Sequence, residues 1–306
     1  MIRSDNISKS YGPVQALQNI SFEVQKGEVF GIIGPDGAGK TSLFRILTSL
    51  LLPDQGSGTV AGLDIVRDYK RLRQVIGYMP GRFSLYQDLT VEENLDFFAS
   101  VFGTSIREHY DLIAPIYSQI EPFKNRRAGA LSGGMKQKLA LSCALIHKPE
   151  VLFLDEPGTG VDPVSRKEFW DMLGNLKKQG LTMLVSTPYM DEAERCDRVA
   201  LIQNGQIMSI DTPEGIIGAF SNPLFAARSD NMYQLIKDLR TMPGVADCYA
   251  FGEFAHVKME ETTHDPLLLE PSIRAFLETR QHRHIEVKPA TATVEDCFIE
   301  LMKNER

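Results

Sequence analysis

The residues with the clearest chemical meaning lie in "GPDGAGKTS", Gly34 to Ser42, which fits the spacing G-x-x-x-x-G-K-[ST]. Glycines in such a run let successive backbone N–H groups curl around phosphate oxygens, and a helix starting there adds positive partial charge. Gly34, Pro35, Asp36, Gly37, Ala38 and Gly39 are therefore the candidate phosphate cradle, with Ser42 at its far end. Lys40 is placed to reach the β- and γ-phosphates of a nucleotide, and the Thr41 hydroxyl to bind Mg²⁺. A chance Gly-rich turn is the alternative. Against it stand the apolar run Val29–Ile33 just before and the helical pattern Lys40–Leu50 just after.

A second cluster is "VLFLDEP", where four apolar residues deliver Asp155 and Glu156 to the end of a predicted strand. Asp155 suits a direct or water-mediated Mg²⁺ contact, and Glu156 suits general-base catalysis on an attacking water. Taken alone, the same two acids read as turn or capping residues. A third cluster is "LSGGMKQKLALSCAL", in which Ser132, Gly133 and Gly134 head a long helix and form a second anion-receptive N-terminus. Ser-Gly-Gly is common in ordinary turns. Its place shortly before the Val151–Leu154 strand gives it meaning.

The elements that must position these residues are short apolar strands alternating with helical patterns, the mark of an α/β fold with a largely parallel sheet. Expected strands are Ile2–Ile7, Ser21–Val24, Glu28–Ile33, Val75–Tyr78, Val151–Leu154, Leu181–Ser186, Arg198–Gln203 and Gln206–Ser209. The last two flank Asn204–Gly205, a two-residue hairpin signal. Within this region, residues 84–149 read as an inserted helical subdomain, with Thr90 and Glu93 spaced as a capping box. Residues 1–221 are thus expected as one domain. Residues 222–306 are expected as a small α+β accessory domain in the order β-α-β-β-α-β-α.

Bulk properties narrow the class. The 306 residues carry a net charge of −7, which argues against a nucleic-acid partner. Four dispersed cysteines (Cys143, Cys196, Cys248, Cys297) form neither a zinc nor a disulfide framework, which points to a reducing cytosol. The opening "MIRSDNISKSYG" lacks a signal-peptide core, and no run approaches the ~18–20 apolar residues that span a bilayer.

In combination these motifs resemble the nucleotide-binding subunit of ATP-binding-cassette (ABC) transporters, over about residues 2–220. "GPDGAGKT" matches the Walker A motif, "LSGGMKQ" the signature, "VLFLDE" the Walker B motif, and "GTGVDP" the D-loop. "LSGGMKQKLALSCALIHKPEVLFLDEP" is especially similar to subunits serving type 2 permeases that export drugs or other apolar compounds. The segment ending "ATVEDCFIELM" is similar to tails in that subgroup. The resemblance implies a P-loop NTPase fold of the ABC ATPase type and ATP with Mg²⁺ as cofactors. It also implies a head-to-tail dimer with an identical or different second ABC subunit, and a separate transmembrane permease. The place it implies is cytoplasmic, peripheral on the inner face of the membrane. Tyr11 would stack on adenine, or be a partly exposed strand-end tyrosine. Ser132, Gly133 and Gly134 would reach the γ-phosphate of the opposite subunit. Asp162 would lie at the dimer seam while also serving as N-cap of "PVSRKEFWDML".

Two positions depart from the family pattern. Gly81 stands in "YMPG" where glutamine is usual, leaving Arg82 or Gln87 as substitutes. Pro188, in "LVSTPYMDEAE", stands where histidine normally hydrogen-bonds the γ-phosphate, and proline has neither a side-chain donor nor an N–H. Ser186 or Thr187 is the available stand-in, and Pro188 itself reads as the point where a strand gives way to a helix. Slow hydrolysis is the expectation, with a regulatory ATP sensor lacking a permease as the rival reading. Chromosome-type ATPases need a long coiled coil between Lys40 and Ser132, and translation-type members carry two cassettes; the chain shows neither. His282 and His284 allow a metal pair, but no carboxylate or cysteine lies at matching spacing, so a solvated basic strand end is expected. His109 and His147 read as helix-end or surface residues. "FSLYQDLTVEENL" is either core or the wall of a groove for a permease helix.

Overall fold

A computed structural model describes residues 1–260 and 266–304. Residues 261–265 and 305–306 of the expected accessory domain lie outside the described residues. The chain divides into two compact units, Met1–Pro213 and Glu214 onward.

The first unit runs β1 (Ile2–Tyr11), β2 (Val14–Val24), β3 (Val29–Ile33), α1 (Lys40–Leu47), β4 (Gln55–Val60), β5 (Leu63–Asp64), α2 (Tyr69–Val75) and β6 (Ile76–Met79). It continues with α3 (Val91–Val101), α4 (Tyr110–Tyr117), α5 (Gly133–Leu145), β7 (Val151–Asp155), α6 (Pro163–Lys178), β8 (Thr182–Thr187), β9 (Arg198–Gln203) and β10 (Gln206–Asp211). The main sheet has the order β10-β9-β3-β8-β7-β6. Its strands β9, β3, β8, β7 and β6 are parallel, and β10 adds an antiparallel edge. All five residues of β3 and all five of β7 are buried, as a parallel sheet covered on both faces requires. A second, antiparallel sheet has the order β2-β1-β4-β5. Helix α1 is buried through Leu43, Phe44, Ile46 and Leu47 in a core that both sheets share. Each such side chain contributes about 1.5–3 kcal/mol of transfer free energy.

Strands β1 and β2 run well past the Ile2–Ile7 and Ser21–Val24 expected of them. Asn6 and Asn19 adopt positive φ (51° each) at register shifts, so bulges interrupt the apolar alternation that would have announced the full strands. Strand β4, "QGSGTV", carries no strand signal because two glycines dilute it. The Asn204–Gly205 turn has φ of 48° and 75°, the paired positive values of a type I′ hairpin. Thr90 caps α3: its Oγ1 accepts from Glu93 N at 3.2 Å, while Thr90 N donates to Glu93 Oε2 at 2.7 Å.

A short helix α7 (Pro213–Gly218) opens at the border of the units. The second unit then runs β11 (Leu224–Arg228), α8 (Met232–Leu239), β12 (Val245–Phe251), β13 (Phe254–Met259), α9 (Pro266–Thr279), β14 (Glu286–Pro289) and α10 (Val294–Asn304). Its antiparallel sheet has the order β12-β13-β11-β14, and its core gathers Phe225, Leu235, Leu239, Val257, Ile273 and Leu277. Asp296, fully buried, fastens α10 to the sheet by accepting from His256 Nδ1 at 2.6 Å and Tyr249 OH at 2.7 Å. Its other oxygen accepts from Thr293 N and Oγ1.

The histidines of "RQHRH" part ways. His284 is exposed beside Asp230, as a solvated strand end would be. His282 is not solvated: its side chain is 4% exposed and lies between Ser229 Oγ (3.1 Å) and Asp238 Oδ2 (3.0 Å). Two polar partners make burial of the ring tolerable. His147, at the end of α5, stacks on Phe102 and bonds the Ile76 carbonyl at 2.9 Å.

Candidate functional site

The site lies where β3, β7 and β8 end side by side, at the carboxyl edge of the parallel sheet. Residues Gly34–Gly39 leave β3 and turn into α1, which begins at Lys40. Two glycines are obligatory there. A Cβ on Gly34 would come within 2.2 Å of the Ile202 carbonyl oxygen, and one on Gly39 within 2.3 Å of the Ala16 carbonyl oxygen. Gly39 also adopts φ 102°, a conformation that favours glycine. The loop is braced from two sides: Gly34 N donates to Thr187 O (3.2 Å), and Gly205 N donates to Ala38 O (3.1 Å). Gly205 itself presses on β2, since a Cβ there would lie 2.5 Å from Ala16 O. Asp36 and Gly37 form the exposed rim.

Lys40, only 3% exposed, donates to Gly34 O (2.8 Å) and Pro35 O (2.9 Å) and pairs with Glu156 Oε1 at 3.1 Å. Thr41 Oγ1 donates to Asp155 Oδ1 at 3.3 Å. Burial pushes the Asp155 carboxyl up from its ordinary range, more than hydrogen bonds from Ser186 and Thr41 pull it down; the neighbouring Glu156 charge adds to the rise. Tyr78, on β6, is pushed up to about 12 by burial and by the Asp155 charge. Glu156 has φ 51°, a left-handed conformation that costs about 1–3 kcal/mol when a side chain is present. Tyr11, 46% exposed at the end of β1, has its hydroxyl 3.3 Å from Ser42 Oγ.

Gly34, Lys40, Thr41, Asp155 and Glu156 thus converge in one place. Ser132, Gly133 and Gly134 make no hydrogen bond to these residues, although Gly133 shares a cleft with Glu156. Ser132 caps α5, accepting from Met135 N at 3.4 Å. A Cβ on Gly134 would lie 2.8 Å from Ser165 Oγ, and one on Gly133 would lie 3.7 Å from Gly160 O. The signature therefore packs beside the start of α6, where Asp162 accepts from Val164 N (3.1 Å) and Ser165 N (3.0 Å). Asp162 is the helix cap that its place before Pro163 predicts.

The two departures have structural counterparts. Gly81 abuts the Asp155–Glu156 peptide: a Cβ there would come within 2.9 Å of Asp155 O. Gln87 is exposed, and its backbone carbonyl accepts from Gly129 N at 2.9 Å on the helical insertion. Arg82 is exposed and lines a cleft with Glu156, Gly133 and Lys136. Pro188, half-buried, ends β8, but the acidic segment after it is a 3₁₀ helix, Met190–Arg195, whose cap is Tyr189. Pro188 therefore stands between the strand and the helix, as the strand-to-helix reading expects, one residue ahead of the cap. Thr187 Oγ1 accepts from Tyr189 N (3.1 Å), and Ser186 is committed to Asp155 and Glu156, as detailed below.

A separate cleft of about 230 Å³ opens between the sheet and the helical insertion, lined by Leu50, Tyr78, Leu85, Phe98, Phe102 and His147. In "FSLYQDLTVEENL", Leu85 is buried and lines this cleft, while Tyr86 is 51% exposed. Tyr78 was missed because adjacency of β6 and β7 is set by the sheet order, which sequence spacing does not carry. Among the described residues no helix is long and apolar enough to cross a membrane, and no group of three or more His, Cys, Asp or Glu could hold a metal.

Comparison with known proteins places this geometry. The profile of the family described as "ABC transporter" matches residues 17–159. YbhF of Escherichia coli strain K12, named a probable multidrug ABC transporter ATP-binding protein, is 38% identical over 293 residues, 94% of this chain and 49% of that one. The chain therefore spans about half the length of that relative. LnrL of Bacillus subtilis strain 168, named a linearmycin resistance ATP-binding protein, is 33% identical over 270 residues, 87% of this chain and 83% of that one. A solved structure described as an ATP binding subunit of an ABC transporter superposes with TM-score 0.65 at 28% identity, covering 71% of this chain and 91% of that one. The P-loop between β3 and α1, the paired acids at the end of β7 and these relatives agree: the chain belongs to the ABC transporter ATP-binding family.

Proposed function

We propose that this chain binds MgATP and hydrolyses it to power a separate membrane permease, one that exports drugs or other apolar compounds. The observation that carries the reading is the convergence of Lys40, Thr41, Asp155 and Glu156 at the carboxyl ends of β3 and β7. The residues fit the nucleotide. Gly34 and Gly39 let the loop pack against the Ile202 and Ala16 carbonyls as it turns into α1, and Lys40 offers a buried ammonium. Thr41 and Asp155 supply the hard oxygen donors that Mg²⁺ prefers.

In this reading Gly34–Gly39 and Lys40 hold the phosphates, and Thr41 and Asp155 hold Mg²⁺. The ion, when bound, offsets charge on the β- and γ-oxygens. Glu156 accepts a proton from the attacking water. Tyr11 stacks on adenine with an exposed face, and Ser42 holds the phosphate end of the same turn. Ser132, Gly133 and Gly134 serve a second ABC subunit, identical or different, packed head to tail. Asp162 then lies at the seam. The residues 1–221 form the ATPase domain, with the insertion at 84–149, and residues 222–306 the accessory domain. The apolar cleft at Leu85 and Phe98 receives a cytoplasmic helix of the permease, which holds the chain peripherally at the inner face of the cytoplasmic membrane. The relatives named for multidrug transport and linearmycin resistance support the exporter class.

Hydrolysis is slow in this reading. Pro188 provides no donor toward the γ-phosphate, and Gly81 provides no side-chain ligand. Losing a hydrogen bond to a charged group in the transition state costs about 1.5–3 kcal/mol, or roughly ten- to a hundredfold in rate.

The test is ATP turnover by the chain purified with its membrane partner, compared with Glu156→Gln. Turnover indistinguishable from that variant removes the ATPase reading. ATP binding with no multi-span protein recovered from membranes would instead favour the ATP-sensing alternative.

A further inference from the structure

The geometry points to Ser186 as a positioning residue for the Mg²⁺ ligand and the general base, an inference that rests on the MgATP reading above. Ser186 is the penultimate residue of β8 and is wholly buried. Its hydroxyl has one proton to give and gives it to Asp155 Oδ1 at 2.6 Å, the shortest contact Asp155 makes. The same oxygen accepts from Glu156 N at 3.0 Å. One hydroxyl therefore joins the carboxylate of Asp155 to the amide of the next residue, and that amide also donates to Ser186 O at 3.0 Å.

This arrangement uses up the Ser186 hydroxyl, so it does not replace the imidazole absent at Pro188. It acts on the acids instead. The donated proton, with the longer bond from Thr41, fixes which way the Asp155 carboxylate faces. The accepted N–H holds Glu156 in its left-handed conformation at the strand end. Strand β8 also braces the P-loop, through Gly34 N to Thr187 O. Two consecutive residues just ahead of Pro188 thus hold the phosphate loop and both acids in one register. Hydrogen-bond partners behind a ligating carboxylate commonly set metal affinity by about 10–100-fold.

The experiment measures ATP affinity of the full chain by calorimetry, once in Mg²⁺ and once in EDTA, for the native protein, Ser186→Ala and Ser186→Cys. Cysteine keeps the volume but is a weak donor, so it covers the case in which the alanine variant does not fold. Both variants are expected to weaken binding in Mg²⁺ by ~10–100-fold and to leave binding in EDTA within about twofold. Equal weakening under both conditions would mean that Ser186 only packs the strand, and native affinity in Mg²⁺ would remove the role altogether. Native protein that binds no ATP under either condition overturns the nucleotide reading itself, and this inference with it. That outcome is distinct from one in which the serine variants keep native affinity in Mg²⁺.

Discussion

Lys40 Nζ lies 3.1 Å from Glu156 Oε1, so the ammonium of the P-loop and the carboxylate at the end of β7 form an ion pair across the site. The same ammonium also donates to Gly34 O and Pro35 O. Two of its three donors are thus held by loop carbonyls and the third meets the acid, the contact that an anionic ligand would have to replace.

Lys40→Met should weaken ATP binding by roughly 10–100-fold, the loss of a charge-assisted hydrogen bond. Titration with a fluorescent ATP analogue measures it. Unaltered affinity would mean that phosphates bind elsewhere.

Gly81 and Pro188 should respond differently to restoration of the usual residues. Pro188→His should raise turnover by about ten- to a hundredfold. Gly81→Gln alone should cost about 1–3 kcal/mol of stability, because its Cβ meets Asp155 O at 2.9 Å. Steady-state ATPase assays and urea unfolding read the two effects. A Pro188→His protein with native turnover would show that the end of β8 does not limit hydrolysis.

The second unit carries a prediction independent of nucleotide. Burial acts to raise the Asp296 carboxyl, but donors from His256, Tyr249 and Thr293 outweigh it and hold the group below the usual carboxylate range. A depressed folded value contributes stability that is complete above the unfolded carboxylate value of about 4 and disappears as pH falls through the lower folded value. Asp296→Asn should therefore lower the stability of this unit by about 1–3 kcal/mol at neutral pH. The gap to the native protein should narrow in acid below about pH 4. Chemical unfolding at both pH values checks it, and a pH-independent gap would contradict the assignment.

The site was legible where chemistry imposes residue type at fixed spacing. Gly34, Lys40 and Thr41 stand at the fixed spacing of a phosphate-loop motif, and Asp155 with Glu156 at the end of a buried run, so a single chain announces them. Contacts made between distant segments were not legible. Ser186 reads as an ordinary strand residue until β8 is seen beside β7, and Tyr78 until β6 is seen on its other side. The same limit hid much of β1 and β2, where the bulges at Asn6 and Asn19 shift the alternation, and it mistook His282, whose partners Ser229 and Asp238 come from other elements. The segment after Pro188 reads as a helix by composition, but its six residues form a 3₁₀ helix from Met190.

The Ala16 carbonyl of β2 is pinned by two glycines at once, Gly39 of the phosphate loop and Gly205 of the β9–β10 turn. Tyr11 belongs to the hairpin partner of that strand, pairing with Val14. In the proposed nucleotide reading the tyrosine and Lys40 are the two jaws of a caliper, linked through this strand pair. A molecule that spans both jaws gains two holds without bending the frame. Pyrophosphate, which reaches only one, should bind as a fragment and leave the other jaw idle.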